Sequence, residues 1–168
     1  MKLLPIDTPE RLRLVASWMS REENYRWLDF GNGRQVLTPE WLRIATQRDT
    51  ELLRIYTLDD GVTPGGVVGL TSIDRPFGTA RIWVVAGEKT FAARGHATEA
   101  ARLLLTLGFG ELGLAAINTW IVEDNPSVRI AHRLRFKFIG RQRSCHVVDG
   151  RVCDRLWFDI LASEHGER

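Results

Sequence analysis

Hydrophobic positions change their period several times along the chain, and each change marks an element. Leu12, Val15, Ala16 and Met19 recur at i, i+3, i+4 and i+7, the spacing of one buried helix face. Thr8-Pro9-Glu10 opens that helix with a capping hydroxyl, a proline whose missing N–H costs nothing in the first turn, and an acid at the positive end. Thr38-Pro39-Glu40 repeats the signal ahead of Trp41, Ile44 and Ala45, while residues 21–33 are polar and aromatic and read as a loop or broken helix. The pattern then turns to strands. Residues 52–58 form the first of these, punctuated by Asp59-Asp60-Gly61 and Pro64-Gly65-Gly66. Residues 67–73 and 80–86, rich in β-branched side chains, flank Arg75-Pro76-Phe77-Gly78 and predict a hairpin. Helix periodicity returns from Thr98 to about Leu112, with Ala100, Leu103, Leu104 and Leu107 on one face. Gly108 and Gly110 weaken its last turns by about 1 kcal/mol each against alanine. Residues 116–122 are the next strand, followed by a short helix with Ser127, Ile130, Ala131 and Leu134 inward. Residues 136–148 and 151–161 are strands joined by Asp149-Gly150, a strong hairpin signal.

A strand, two helices, three strands, a helix, a strand, a helix and two strands predict one mixed α/β domain over residues 1–168, built on a single sheet. Hydrophobic residues at 44% and charged residues at 26% exclude a largely disordered chain. The 23 basic and 21 acidic residues leave +2, no global drive toward nucleic acid or a membrane. No apolar run approaches the ~20 residues a membrane helix needs, and the first five residues are too short for a signal peptide. Two cysteines are too few for a disulfide scaffold, so the expectation is a soluble cytoplasmic domain.

Residues 84–98, VVAGEKTFAARGHAT, carry the chemistry. A strand ends, small residues follow, and a helix opens at Thr98. Ala92, Ala93, Gly95 and Ala97 let a bulky ligand approach the backbone, a helix start offers unpaired N–H groups, and Arg94 adds a full charge. That combination suits a pyrophosphate; a tight strand-to-helix turn with a capping threonine is the plain alternative. It is neither a P-loop, since no Gly-Lys-Ser/Thr follows, nor a Gly-x-Gly-x-x-Gly dinucleotide motif.

Gly87-Glu88-Lys89, Arg94-Gly95-His96-Ala97-Thr98-Glu99-Ala100, Leu112-Gly113-Leu114 and Asn125-Pro126-Ser127 together resemble the GNAT superfamily of acetyl-CoA-dependent N-acetyltransferases. The similarity runs from about residue 52 onward. Phe136-Lys137-Phe138-Ile139-Gly140-Arg141 and the ending Gly150-Arg151-Val152-Cys153-Asp154…Ile160-Leu161 point to its RimJ/RimL-type branch. The family motif Gln/Arg-x-x-Gly-x-Gly/Ala falls on Ala92-Ala93-Arg94-Gly95-His96-Ala97, matching at Gly95 and Ala97 and departing at Ala92.

The resemblance implies a GNAT fold, a mixed and mostly antiparallel sheet that splays at its centre between residues 82–86 and 116–122. Acetyl-CoA, the expected acetyl donor, would lie in that gap. Residues 92–98 and Asn125 would hold it, and the strand edge at Val85 and Ala86 would polarise the thioester carbonyl. Asn125 reads equally as a helix cap. Family members place a tyrosine one turn into the helix that follows; here Ala131-His132 stands there, leaving Ser127, His132 or water for that role. Glu88 is the first candidate for the base that deprotonates the amine, and Glu22, Glu23, Asp29 and Asp154 follow. Acids and aromatics over residues 22–30, Glu23 and Trp27 foremost, suit a cationic acceptor, whether a small-molecule amine (polyamine, amino sugar or aminoglycoside) or a protein N-terminus; an amphipathic helix end packing its aromatics on the core is the plain alternative. The alternative is a CoA-responsive binding protein without turnover. A homodimer fits related enzymes, and neither membrane nor nucleic acid is an expected partner.

Other conspicuous residues read as structural. Counting from Asp149-Gly150 sets His146 opposite Cys153 and Cys145 opposite Asp154, too few soft ligands for a zinc site, so no metal is expected. Trp83, Trp120 and Trp157 read as core or pocket wall, and residues 163–168 as a frayed tail.

Overall fold

The computed structural model describes residues 1–29, 37–92 and 94–166. Among them the elements run β1 (Leu3–Pro5), α1 (Pro9–Met19), α2 (Glu22–Tyr25), α3 (Pro39–Ala45), β2 (Leu52–Thr57), β3 (Pro64–Asp74) and β4 (Thr79–Ala86), then α4 (Lys89–Ala92), α5 (His96–Gly110), β5 (Ala116–Val122), α6 (Val128–Arg133), β6 (Lys137–Val148) and β7 (Arg151–Leu161). The strands form one seven-stranded sheet in the order β1-β2-β3-β4-β5-β7-β6. Its neighbours are antiparallel except for β4 and β5, which run parallel. The mixed α/β architecture agrees with the sequence pattern.

Strand alternation divides the apolar residues between two faces. Leu53, Ile55 and Val67 point to one side, where α1 and α3 cover them with Val15, Trp18, Met19 and Leu42. Tyr56, Val68 and Leu70 point to the other, under Ala100, Ala101, Leu104 and Leu105 of α5. The buried face of α5 is therefore turned by one position from the predicted one, since Leu103 and Leu107 are half-buried. Gly108 explains the rotation: a Cβ there would meet Ile117 Cδ1 at 2.9 Å, so glycine lets the helix settle on β5. In α3, Leu42 is buried and the predicted Ile44 is 47% exposed.

Several boundaries depart from expectation. Pro64-Gly65-Gly66 belongs to β3 rather than to a turn, and Gly66 pairs with Ala86. Residues 21–29 contain a short helix, α2, and the remainder of the 21–33 segment lies outside the described residues. Asp149 and Gly150, both at positive φ (51° and 76°), make the expected hairpin turn. His146 does face Cys153, but Cys145 does not face Asp154: the register shifts between Gln142 and His146, where Ser144 adopts φ 50° and its N–H bonds Asp154 Oδ1 at 2.8 Å. The tail packs up to residue 166, where His165 Nε2 meets Thr106 Oγ1 at 2.8 Å. No helix among the described residues is long and apolar enough to cross a membrane.

Candidate functional site

β4 and β5 pair through three rungs, Thr79–Ala116, Ala80–Ile117 and Arg81–Asn118, and then part. Each strand keeps its other neighbour, so only the edges facing each other are left open. A cleft of about 930 Å³ fills the fork, walled by residues 82–86 on one side and Thr119, Trp120 and Ile121 on the other. Gly87 N–H donates to Gly65 O at 2.9 Å, and strand N–H direction alternates. Val84 and Ala86 therefore turn their main-chain groups to the open edge. Val85 lines the cleft too, but its N–H faces β3.

One end of the cleft is a helix start. α5 begins at His96, two residues before the predicted Thr98, and no side chain caps it. Its N-cap is Gly95 at φ 82°, a left-handed conformation that glycine adopts without strain. Glu99 N–H is bonded to Gly95 O at 3.1 Å, the N-cap is Gly95 rather than a threonine, and among the described residues no side chain accepts from the preceding N–H groups. A Cβ built on Gly95 meets nothing within 4 Å, and Gly95, Ala97 and Thr98 all line the cleft. Arg129 and Arg133 of α6 line it as well. Uncapped N–H groups, a positive helix end and two guanidinium groups fit a diphosphate-bearing group such as the expected acetyl-CoA.

The other predicted donor-side residues divide. His96 turns inward: its ring is 6% exposed and Nε2 lies 3.2 Å from Asp59 Oδ2. It does not line the cleft. Arg94 is exposed and does not line the cleft. Ala92 closes α4, and Ala93 lies outside the described residues. Asn125 lines the cleft, and its Oδ1 accepts from Ser127 N–H at 2.9 Å, which leaves Nδ2 for a ligand. The helix cap is Ser127 rather than the predicted Asn125, whose side chain instead closes the turn ahead of it.

At the opposite end the site is built from side chains of distant segments. Trp18 Nε1–H donates to Glu88 Oε1 at 3.0 Å, and Arg21 donates to the same carboxylate at 3.1 Å and to Gly87 O at 2.7 Å. These contacts, Arg21 first and Trp18 second, hold the Glu88 carboxyl below its ordinary range. Glu88 is also absent from the cleft wall. An anion stabilised in this way is a poor proton acceptor near neutrality, so the geometry argues against the predicted base. Lys89 Nζ donates to Asn24 Oδ1 at 2.6 Å, and Asn24 Nδ2 donates to Trp18 O at 2.8 Å. Burial lowers the Lys89 pKa. Glu23, Asn24, Arg26, Trp27, Asp29 and Lys89 line this end.

Trp27 packs on Val122, Val148 and Cys153, a small third cluster. His146, 8% exposed, anchors the same segment: Nε2 donates to Arg26 O at 2.8 Å, and Arg155 donates to Nδ1 at 3.0 Å. Both ring nitrogens are thus engaged. His132 is exposed and stacks edge-on against Phe158, away from the cleft wall. Asp154 is held by Arg141 at 2.9 Å. Sequence reasoning missed Asn24, Arg26 and Lys89; the position of Lys89 just past a strand end was the one available signal.

Comparison with known proteins agrees with this geometry. The family described as acetyltransferase (GNAT) domain matches residues 2–137. The N-acetyltransferase p20 of Bacillus licheniformis is 31% identical over 101 residues, 60% of this chain and 56% of that protein. YdaF of Bacillus subtilis, provisionally named a ribosomal N-acetyltransferase, is 27% identical over 158 residues, 92% of this chain and 82% of its own. A spermidine N-acetyltransferase from Vibrio cholerae, solved with CoA and spermine, superposes at a TM-score of 0.84 with 16% identity, covering 98% of this chain and 96% of that one. A dodecameric structure of the spermidine N-acetyltransferase from the same organism gives 0.83 with 18% identity, covering 99% and 96%.

Proposed function

Since the chain belongs to the GNAT acetyltransferase family, we propose that it moves the acetyl group of acetyl-CoA directly to a primary amine, as an N-acetyltransferase near the RimJ/RimL-type branch. One observation carries this reading: the fork between β4 and β5 opens a cleft of about 930 Å³ whose wall includes both an uncapped helix start and a group of charged side chains. The likeness to YdaF over 92% of the chain supports the finer branch.

Bound acetyl-CoA would supply an acyl group activated by sulfur. The chain's own residues do the positioning. The first-turn amides of α5, with Arg129 and Arg133, hold the phosphate end, and Asn125 Nδ2 holds the arm between. The open-edge N–H of Ala86 or Val84 is aimed into the cleft, where it stabilises negative charge developing on a carbonyl oxygen. Glu23 is the carboxylate that meets the acceptor's ammonium, and Trp27 forms the wall beside it. Glu88 clamps Trp18 and Arg21 to the end of β4, so it positions the site without touching the reacting atoms. The exposed Phe138 and Ile139 (56% and 55%) on the edge strand β6 support association of copies.

Saturating acetyl-CoA is expected to raise the melting temperature, and an amine panel should yield acetylated product with an equal amount of free thiol. An unchanged melting temperature would remove the reading. A shift without thiol release from any amine would favour the CoA-responsive binder, which gains its motivation from the engaged Glu88 and the outward His132.

A further inference from the structure

The charged groups at the acceptor end of the cleft are mostly neutralised by the protein itself. Asp29 Oδ2 is held by Arg155 at 3.2 Å, Arg26 by Asp149 at 3.3 Å, and Glu88 by Arg21 at 3.1 Å. Glu23 and Lys89 on this wall stay without an ion pair among the described residues, as do Arg81, Arg129 and Arg133 elsewhere on the cleft. Glu23 forms none, and Lys89 has only the neutral carboxamide oxygen of Asn24, at 2.6 Å. They are near neighbours: α2 supplies Glu23 and Asn24, Asn24 contacts Lys89, and the Glu23 charge acts on the Lys89 ammonium. Arg21 and Arg26 also act on Lys89, in the opposite sense to Glu23.

We infer that the acceptor is a zwitterionic amine, its ammonium directed to Glu23 and a carboxylate a few bonds away directed to Lys89. This rests on the acetyl-transfer reading above and narrows its substrate class. A polyamine presents a second cation where Lys89 and Arg26 already stand, and like charges in a partly desolvated cleft oppose binding. A carboxylate there forms a charge-assisted hydrogen bond with an ammonium that makes no ion pair among the described residues. The shared chemistry is that of a free amino acid or the amino end of an acidic peptide. The preference separates this chain from the spermidine N-acetyltransferases that share its fold.

The experiment compares kcat/KM for alanylglutamate, its neutral counterpart alanylglutamine amide, free glutamate, spermidine and benzylamine, with acetyl-CoA as donor and the full chain as enzyme. A carboxylate-bearing acceptor should exceed the neutral peptide by about tenfold or more, the worth of one charge-assisted contact. Whether alanylglutamate or glutamate leads tells peptide from amino acid. Lys89→Gln should bring the ratio close to one through KM, with the acetyl-CoA melting shift retained, and Lys89→Glu should favour spermidine. Spermidine leading in the unaltered enzyme overturns the inference while leaving acetyl transfer standing, and so does a Lys89→Gln enzyme that keeps the ratio. Loss of the acetyl-CoA shift in Lys89→Gln would assign the lysine to the donor and overturn it likewise. No transfer to any member would defeat the functional reading itself.

Discussion

The two ends of the cleft are made in different ways. At the donor end the protein offers its backbone: an uncapped helix turn behind Gly95 and the open edge of β4. Those groups are fixed by secondary structure, and almost any small side chain leaves them intact. At the acceptor end the protein offers side chains drawn together from far along the chain, Trp18 and Arg21 onto Glu88, Asn24 onto Lys89, His146 onto Arg26. Glu23 apart, the charged members there are held by another side chain. A backbone site tolerates sequence change and keeps its ligand; a side-chain site changes ligand with each substitution.

The sharpest way to break the donor end is to fill it. Gly95→Val with Ala97→Phe places bulk where the Cβ of residue 95 now meets open space, and forces a β-branched residue to φ 82°. Calorimetry should show acetyl-CoA affinity lower by about a hundredfold or more, a loss of ~2.7 kcal/mol. Left-handed strain of ~1–2 kcal/mol should lower the melting temperature as well. Unchanged affinity in a folded double variant would mean that the phosphate lies elsewhere.

At the acceptor end, His146→Ala removes a donor to Arg26 O and an acceptor for Arg155 together. Leaving such partly buried groups unpaired costs about 1–3 kcal/mol. Urea unfolding should register that loss, and kinetics should show a raised acceptor KM beside an unaltered acetyl-CoA shift. Should both ends weaken equally, the contrast between them would not hold.

That contrast also explains what could be read in advance. The hairpins and the loop before α5 follow from local signals, alternation, Asp149-Gly150 and small residues ahead of a helix, whereas the strand fork was implied by the family resemblance alone. The helix starts two residues before the predicted Thr98, because Gly95 in a left-handed conformation makes the turn. Asn24 carried no local mark at all. It is a buried amide in an aromatic stretch whose partner lies 65 residues away. Glu88 was legible as a carboxylate beside the thioester position but not as one already held, because Trp18 and Arg21 reach it across 70 and 67 residues.

Glu88 supplies the smallest and most specific test of its role as a clamp. Its carboxyl is held below the ordinary range by Arg21 and Trp18, so between the folded and unfolded pKa values the unfolded chain binds more protons. The stabilisation is therefore complete above about pH 4.5, the unperturbed value, and falls away as acid drives the pH through the lower folded one. Glu88→Gln, which keeps an oxygen for Trp18 and Arg21 but not the charge, should melt slightly below the parent at pH 7 and approach it at pH 3. Its kcat should drop only a few-fold, whereas loss of a general base would cost about 10²–10⁴. A melting gap that widens on acidification, or a collapse of kcat with binding intact, would return Glu88 to the chemistry and remove the clamp.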